Sequence, residues 1–95
     1  MIVLICEDVV KREKLEEVRE YYRELVEYTR KQPGCLAYDV YQDEERDNVL
    51  IFVEKWADAS CLDDHLKDNV YIEMFAKIEK HLTEEEKVRR YGEFV

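Results

Sequence analysis

Glycine and proline are nearly absent, with two glycines (Gly34 and Gly92) and one proline (Pro33) in 95 residues. That scarcity excludes a glycine-rich loop of the kind that cradles nucleotide phosphates. Histidine is limited to His65 and His81, and tryptophan occurs once, at Trp56. Cys6, Cys35 and Cys61 are an odd number of cysteines, and their spacing matches no zinc or Cys-x-x-Cys motif. The expectation is free, largely buried thiols in a reducing cytosol. Positive charge is also short: 15 Lys and Arg stand against 24 Asp and Glu, for a net charge of −9. Basic residues occur only in short runs such as Lys11-Arg12 and Arg89-Arg90. Nucleic acid and anionic lipid are therefore not expected as partners, because phosphate binding draws on clustered cations.

Other absences narrow the setting. The opening Met1-Ile-Val-Leu-Ile-Cys-Glu7 lacks a basic n-region and meets an acid too soon for a signal peptide. No apolar run approaches the roughly 20 residues that span a bilayer. A cytoplasmic protein with no membrane partner is expected. Cys61–His65 and His81–Glu85 each sit one helical turn apart, but neither pair has an evident third ligand, so no metal is expected.

What is present reads as one domain over residues 1–95, 46% apolar and 41% charged with both signs interspersed. Ile2 to Val10 is β-branched and predicts a first strand. From Glu13 the period changes: Leu15, Val18, Tyr22, Leu25 and Thr29 form the stripe of an amphipathic helix. Its other face carries Glu16, Arg19, Glu20 and Arg23, a solvated surface with i,i+3 ion pairs. Pro33-Gly34 stops that helix. Cys35 to Gln42 alternates as a second strand, with Leu36, Tyr38 and Val40 on one side and Cys35, Ala37, Asp39 and Tyr41 on the other. After the hairpin-length connector Asp43 to Asp47, Val49 to Trp56 predicts a third strand, apolar on both faces.

Asp58 fits an N-cap for a helix carrying Cys61, Leu62 and His65, and Lys67 to Asn69 breaks it. Tyr71, Phe75, Ile78 and Leu82 mark the next helical stripe. Thr83 to Glu86 fits a capping box or a turn, and Val88 to Val95 reads as a last strand weakened by Gly92. The order is strand, helix, strand, strand, helix pair, strand. That is the α+β, ferredoxin-like βαββαβ arrangement with a four-stranded antiparallel sheet. Its helices can cover one sheet face only, yet the other face is apolar too. The simplest cover is the same face of a second copy, giving a homodimer paired into an α/β barrel.

The strand and the helix after it aim Glu54, Trp56 and His65 at one apolar space. A neutral imidazole there could accept and return a proton, and Trp56 and Phe52 offer a flat wall to an aromatic ligand. A lone helical histidine on an apolar stripe also reads as a packed or surface residue, and the expectation is that His65 is only partly buried. Glu54 is free to orient His65 or to pair with a surface cation. Tyr38 and Tyr41 lie on opposite strand faces, so at most one of them meets the cavity.

Lys31-Gln-Pro-Gly-Cys-Leu-Ala-Tyr38, Glu54-Lys-Trp56 with Asp58, His65-Leu66 and Val88-Arg-Arg-Tyr91 together resemble the antibiotic biosynthesis monooxygenase domain family of the dimeric α/β-barrel superfamily. The resemblance covers essentially the whole length. It implies a cofactor-independent monooxygenase acting on a small quinol-like or polyphenolic substrate, with His65 as base and Trp56, Phe52, Glu54, Tyr38 and Phe75 as substrate contacts. The family also holds an isomerase that implies proton transfer on a small carbonyl compound by the same histidine, and non-enzymatic ligand binding stands beside both. Haem-degrading members carry asparagine, tryptophan and histidine where this chain has Glu7, His65 and Phe75, so haem chemistry is not expected.

Overall fold

A computed structural model describes residues Met1–Val95. The elements run β1 (Ile2–Val9), a 3₁₀ turn (Arg12–Lys14), α1 (Leu15–Thr29), β2 (Cys35–Gln42), β3 (Val49–Trp56), α2 (Ala59–Lys67), α3 (Asn69–Glu79) and β4 (Lys87–Gly92). The strands form one antiparallel sheet in the order β2-β3-β1-β4. This is the expected ferredoxin-like topology. The Thr83–Glu86 stretch starts no helix; it leads into β4, and the Thr83 amide donates to the Val9 carbonyl at 2.8 Å.

Side-chain alternation along β1 and β3 sorts the sheet into two faces. Leu4, Cys6, Asp8, Leu50, Phe52, Glu54 and Trp56 are all buried on the face that meets the helices. From α1, Val18, Tyr22 and Leu25 close onto it, each buried side chain contributing roughly 1.5–3 kcal/mol. Leu62 of α2 and Ile78 of α3 complete the same core. Asp58 caps α2 as its spacing predicts, accepting from the Cys61 amide at 2.9 Å. Asp68 ends α2 and caps α3, accepting from the Val70 amide.

One face assignment is corrected. The register slips between Cys35 and Ala37, a β-bulge in which two residues of β2 oppose one of β3. Cys35 therefore lies opposite Trp56 and packs on the core, whereas Leu36, expected beside Tyr38, is 59% exposed. The alternation resumes at Tyr38, which is buried, while Tyr41 points to the helix-free face.

Gly34 makes the turn into β2. Its φ of +78° lies where L side chains are strained, and an added Cβ would stand 2.3 Å from Cys61 Sγ. Gly34→Ala combines a left-handed backbone cost with overpacking, together about 2–4 kcal/mol. Thermal unfolding followed by circular dichroism is expected to show Tm lower by roughly 10–20 °C. Adding Cys61→Ala should recover only part of the loss, since the backbone cost remains. A Gly34→Ala protein as stable as wild type would refute this account of the turn.

Candidate functional site

The helix-facing side of β3 presents Phe52, Glu54 and Trp56 at alternate positions, and β2 adds Tyr38 opposite Glu54. The last turn of α2 brings His65 over them. Its ring centre lies 4.7 Å from that of Trp56 and 5.6 Å from that of Tyr38. From α3, Tyr71 approaches His65 to 4.1 Å, and Phe75 stacks on Tyr71 at 6.1 Å with the planes 19° apart. Tyr38 also contacts Phe52 at 5.4 Å. The six residues singled out from the sequence thus belong to one cluster, in which Phe75 is reached only through Tyr71.

The cluster differs from expectation in two respects. His65 is 1% exposed rather than partly buried, because Trp56, Tyr38 and Tyr71 crowd its ring. The apolar space expected between Glu54, Trp56 and His65 is filled by their own side chains. Open volume lies to either side. A hollow of about 290 Å³ lies beyond His65, lined by Gln32, Pro33, Cys61, Asp64, Lys67 and Asp68. A larger groove of about 470 Å³ runs between α1 and the β2–β3 hairpin, with Val18, Tyr22, Val26, Val40 and Leu50 among its apolar lining.

Glu54 neither orients His65 nor pairs with a cation. Its carboxyl accepts the Trp56 indole N–H at 3.1 Å and the Cys6 thiol at 3.7 Å. Burial pushes its pKa from 4.5 up to about 7. His65 instead bonds through Nδ1 to Gln32 Oε1 at 2.6 Å, and burial drops its pKa from 6.5 to about 4, so the ring is neutral at neutral pH. Gln32 Nε2 donates to Asp68 Oδ2 at 2.7 Å, and the Tyr28 hydroxyl donates to the same oxygen.

A second polar group was not singled out from the sequence. The Tyr22 hydroxyl donates to Asp8 Oδ2 at 2.7 Å, and Asp8 is wholly buried. Continuing the β1–β4 register by one pair sets Glu86 opposite Asp8. Burial foremost, and then the Asp8 carboxyl, hold the Glu86 carboxyl well above the usual range. Strand phase held the signal for Asp8, since Leu4, Cys6 and Asp8 alternate on one face; nothing local marks Glu86 or Gln32. Glu7, compared above with the family's first-strand asparagine, faces the helix-free side beside Lys87 and Arg46. The first-strand residues that look into the interior are Leu4, Cys6 and Asp8, and of these only Cys6 and Asp8 are polar or titratable.

A family model described as antibiotic biosynthesis monooxygenase matches residues 1–77. A crystal structure of an antibiotic biosynthesis monooxygenase superposes with a TM-score of 0.95 at 33% identity, covering 100% of both chains. A conserved protein from Methanosarcina mazei Go1 gives 0.91 at 32% identity, over 95% of this chain and 89% of that one. Among curated relatives, an uncharacterised Synechocystis protein is 32% identical over 82 residues, which is 86% of this chain but only 56% of that protein. The chain therefore spans little more than half of that relative. Bacillus subtilis YcnE, provisionally named a monooxygenase, is 34% identical over 65 residues, 68% of each chain.

The Glu54 environment has a measurable consequence. Folded, Glu54 holds its proton to about pH 7, whereas the unfolded carboxyl releases it near 4.5. Its contribution to stability is therefore full below 4.5 and is lost as pH rises through 7, a loss on the order of 3 kcal/mol. His65 has the opposite sign: its share is full above 6.5 and is lost as pH falls towards 4. Comparing wild type with Glu54→Gln cancels the histidine term. From about pH 5 to about pH 8 the variant is expected to gain steadily on wild type in Tm. A Tm difference that stays constant across that window would refute the raised carboxyl.

Proposed function

Because the chain belongs to the antibiotic biosynthesis monooxygenase family, we propose that it is a cofactor-independent monooxygenase acting on a small, flat quinol-like or polyphenolic substrate. The observation that carries this reading is the neutral imidazole of His65, enclosed by Trp56, Tyr38 and Tyr71. His65 is the base. Trp56, Phe52, Tyr38 and Phe75 are the aromatic wall, and Glu54 holds the Trp56 indole. The substrate enters from the α3 side, where Tyr71, Met74 and Phe75 are only partly buried.

The reaction balances without a bound redox group. His65 takes the proton of a phenol or enol, and the resulting anion passes an electron to O₂. Radical recombination forms a carbon–oxygen bond. Cleavage of the peroxide then leaves one oxygen atom on the substrate and releases the other as water, the substrate's own two hydrogens and two electrons being the reductant. The low pKa keeps His65 receptive at neutral pH but gives it little intrinsic pull on a phenolic proton. Attraction between imidazolium and phenolate in a dry site offsets part of that deficit.

Family members are commonly dimeric, and the reading includes a homodimer in a reducing cytosol. Val3, Ile5, Val9, Ile51 and Val53 form an apolar band on the helix-free face, which the same band of a second copy covers. Sedimentation is expected to give twice the chain mass, and Val53→Arg to give a monomer. A wild-type monomer at micromolar concentration would refute the pairing.

Oxygen uptake with a panel of reduced quinones and anthrones tests the chemistry. Turnover is expected with at least one compound, and His65→Gln, which roughly keeps the volume, should lower it by about 10²–10⁴-fold per folded molecule. Exchange of substrate hydrogen with solvent and no oxygen uptake would favour the isomerase reading. Binding with neither would leave a ligand-binding protein.

A further inference from the structure

The bonds around His65 form a directional chain drawn from three separate segments. Gln32 sits in the turn after α1, His65 in the last turn of α2, and Asp68 at the junction of α2 and α3. Asp68 collects donors: Gln32 Nε2 and the Tyr28 hydroxyl on Oδ2, and the Val70 amide on Oδ1 at 3.2 Å. A carboxylate only accepts, so the end of the Gln32 amide that meets it must be the NH₂. The other end is then the carbonyl oxygen, and this is the atom 2.6 Å from His65 Nδ1. A carbonyl oxygen also only accepts. In a neutral imidazole the single proton therefore resides on Nδ1, and the lone pair is left on Nε2. A flipped amide would set its oxygen against the Asp68 carboxylate and surrender that bond, keeping at best a donation from its NH₂ to the bare Nδ1 of the other tautomer.

We infer that Gln32 and Asp68 are positioning residues that hold His65 in its Nδ1–H tautomer, leaving Nε2 as the basic atom. The inference rests on the functional reading above only for the use made of Nε2; the tautomer itself follows from the three side chains. The arrangement repeats the logic of a catalytic triad, in which a third group selects the tautomer of the base. Here an amide mediates, so the ring gains orientation without a carboxylate directly against it.

Long-range ¹H–¹⁵N correlation on protein labelled at histidine reads the tautomer directly, with the His81→Gln background leaving His65 as the only histidine. At neutral pH the spectrum is expected to show a protonated Nδ1 and an unprotonated Nε2. In Gln32→Met, which keeps length but neither donates nor accepts strongly, the pattern should shift towards a tautomer mixture or Nε2–H. Gln32 lies in a partly exposed turn, so this variant is expected to fold; if it does not, the wild-type spectrum alone decides. A wild-type Nε2–H pattern, or a Gln32→Met spectrum identical to wild type, overturns the inference. With a substrate in hand, Gln32→Met should lower kcat by about tenfold or more while KM changes little. The two failures separate: an Nδ1–H tautomer with no turnover on any substrate counts against the monooxygenase reading alone. Turnover that depends on His65 but ignores Gln32 counts against the positioning role alone.

Discussion

The unshifted pairing of β1 with β3, from Ile2–Trp56 to Val9–Val49, is the constraint on which the interior depends. Both strands are flanked on each side, so every backbone group is committed and the register cannot drift. A one-residue slip would turn Phe52, Glu54 and Trp56 to the helix-free face and bring Lys55 inside. With the register held, Cys6 meets Glu54, Glu54 meets the Trp56 indole, and Asp8 lies under Tyr22. The polar contacts of the interior are consequences of strand phase before they are consequences of chemistry.

Desolvation then sets the protonation of what the register has buried. Glu54 and the Asp8–Glu86 pair are pushed towards their neutral forms, and His65 is pushed towards its own. Acids and base move in opposite directions on the pH scale for the same reason, because low dielectric penalises whichever form carries charge. Around neutral pH the interior therefore holds few formal charges in a protein whose surface is dense with them. An imidazole in such surroundings is available to accept a proton, and an anion formed beside it is poorly shielded from it. These are the conditions that the proposed oxygen chemistry requires.

Family membership and site chemistry rest on different grounds. The fold and the family follow from whole-chain likeness, which says little about which reaction a member performs. A reaction depends on a handful of side chains, and in the proposed reading these are an aromatic enclosure and one oriented imidazole. In the proposed reading, the packed state of that enclosure would make ligand entry a displacement of partly buried rings such as Tyr71 and Phe75, and not the filling of a preformed void.

By itself the sequence determined the elements and their order. Period changes at Glu13 and Cys35, the Pro33-Gly34 stop and the Asp58 cap are local signals, and local backbone preferences answer to them. Phase on β3 and spacing on the following helix also brought Glu54, Trp56 and His65 together, with Phe52 beside them, whereas the choice of Tyr38 over Tyr41 was left open and Phe75 entered only through the family resemblance. Tertiary structure decided which partner each polar group takes. Glu54 bonds Trp56 and Cys6 where His65 or a surface cation was open to it, and His65 bonds Gln32. Glu86 lies opposite Asp8 only because β1 and β4 pair across most of the chain's length. The bulge at Cys35, which sends Leu36 outward, belongs to the same class. Periodicity reports the face on which a side chain lies, whereas hydrogen-bond partners and burial depend on distances between segments far apart in the chain, and no local pattern encodes those distances.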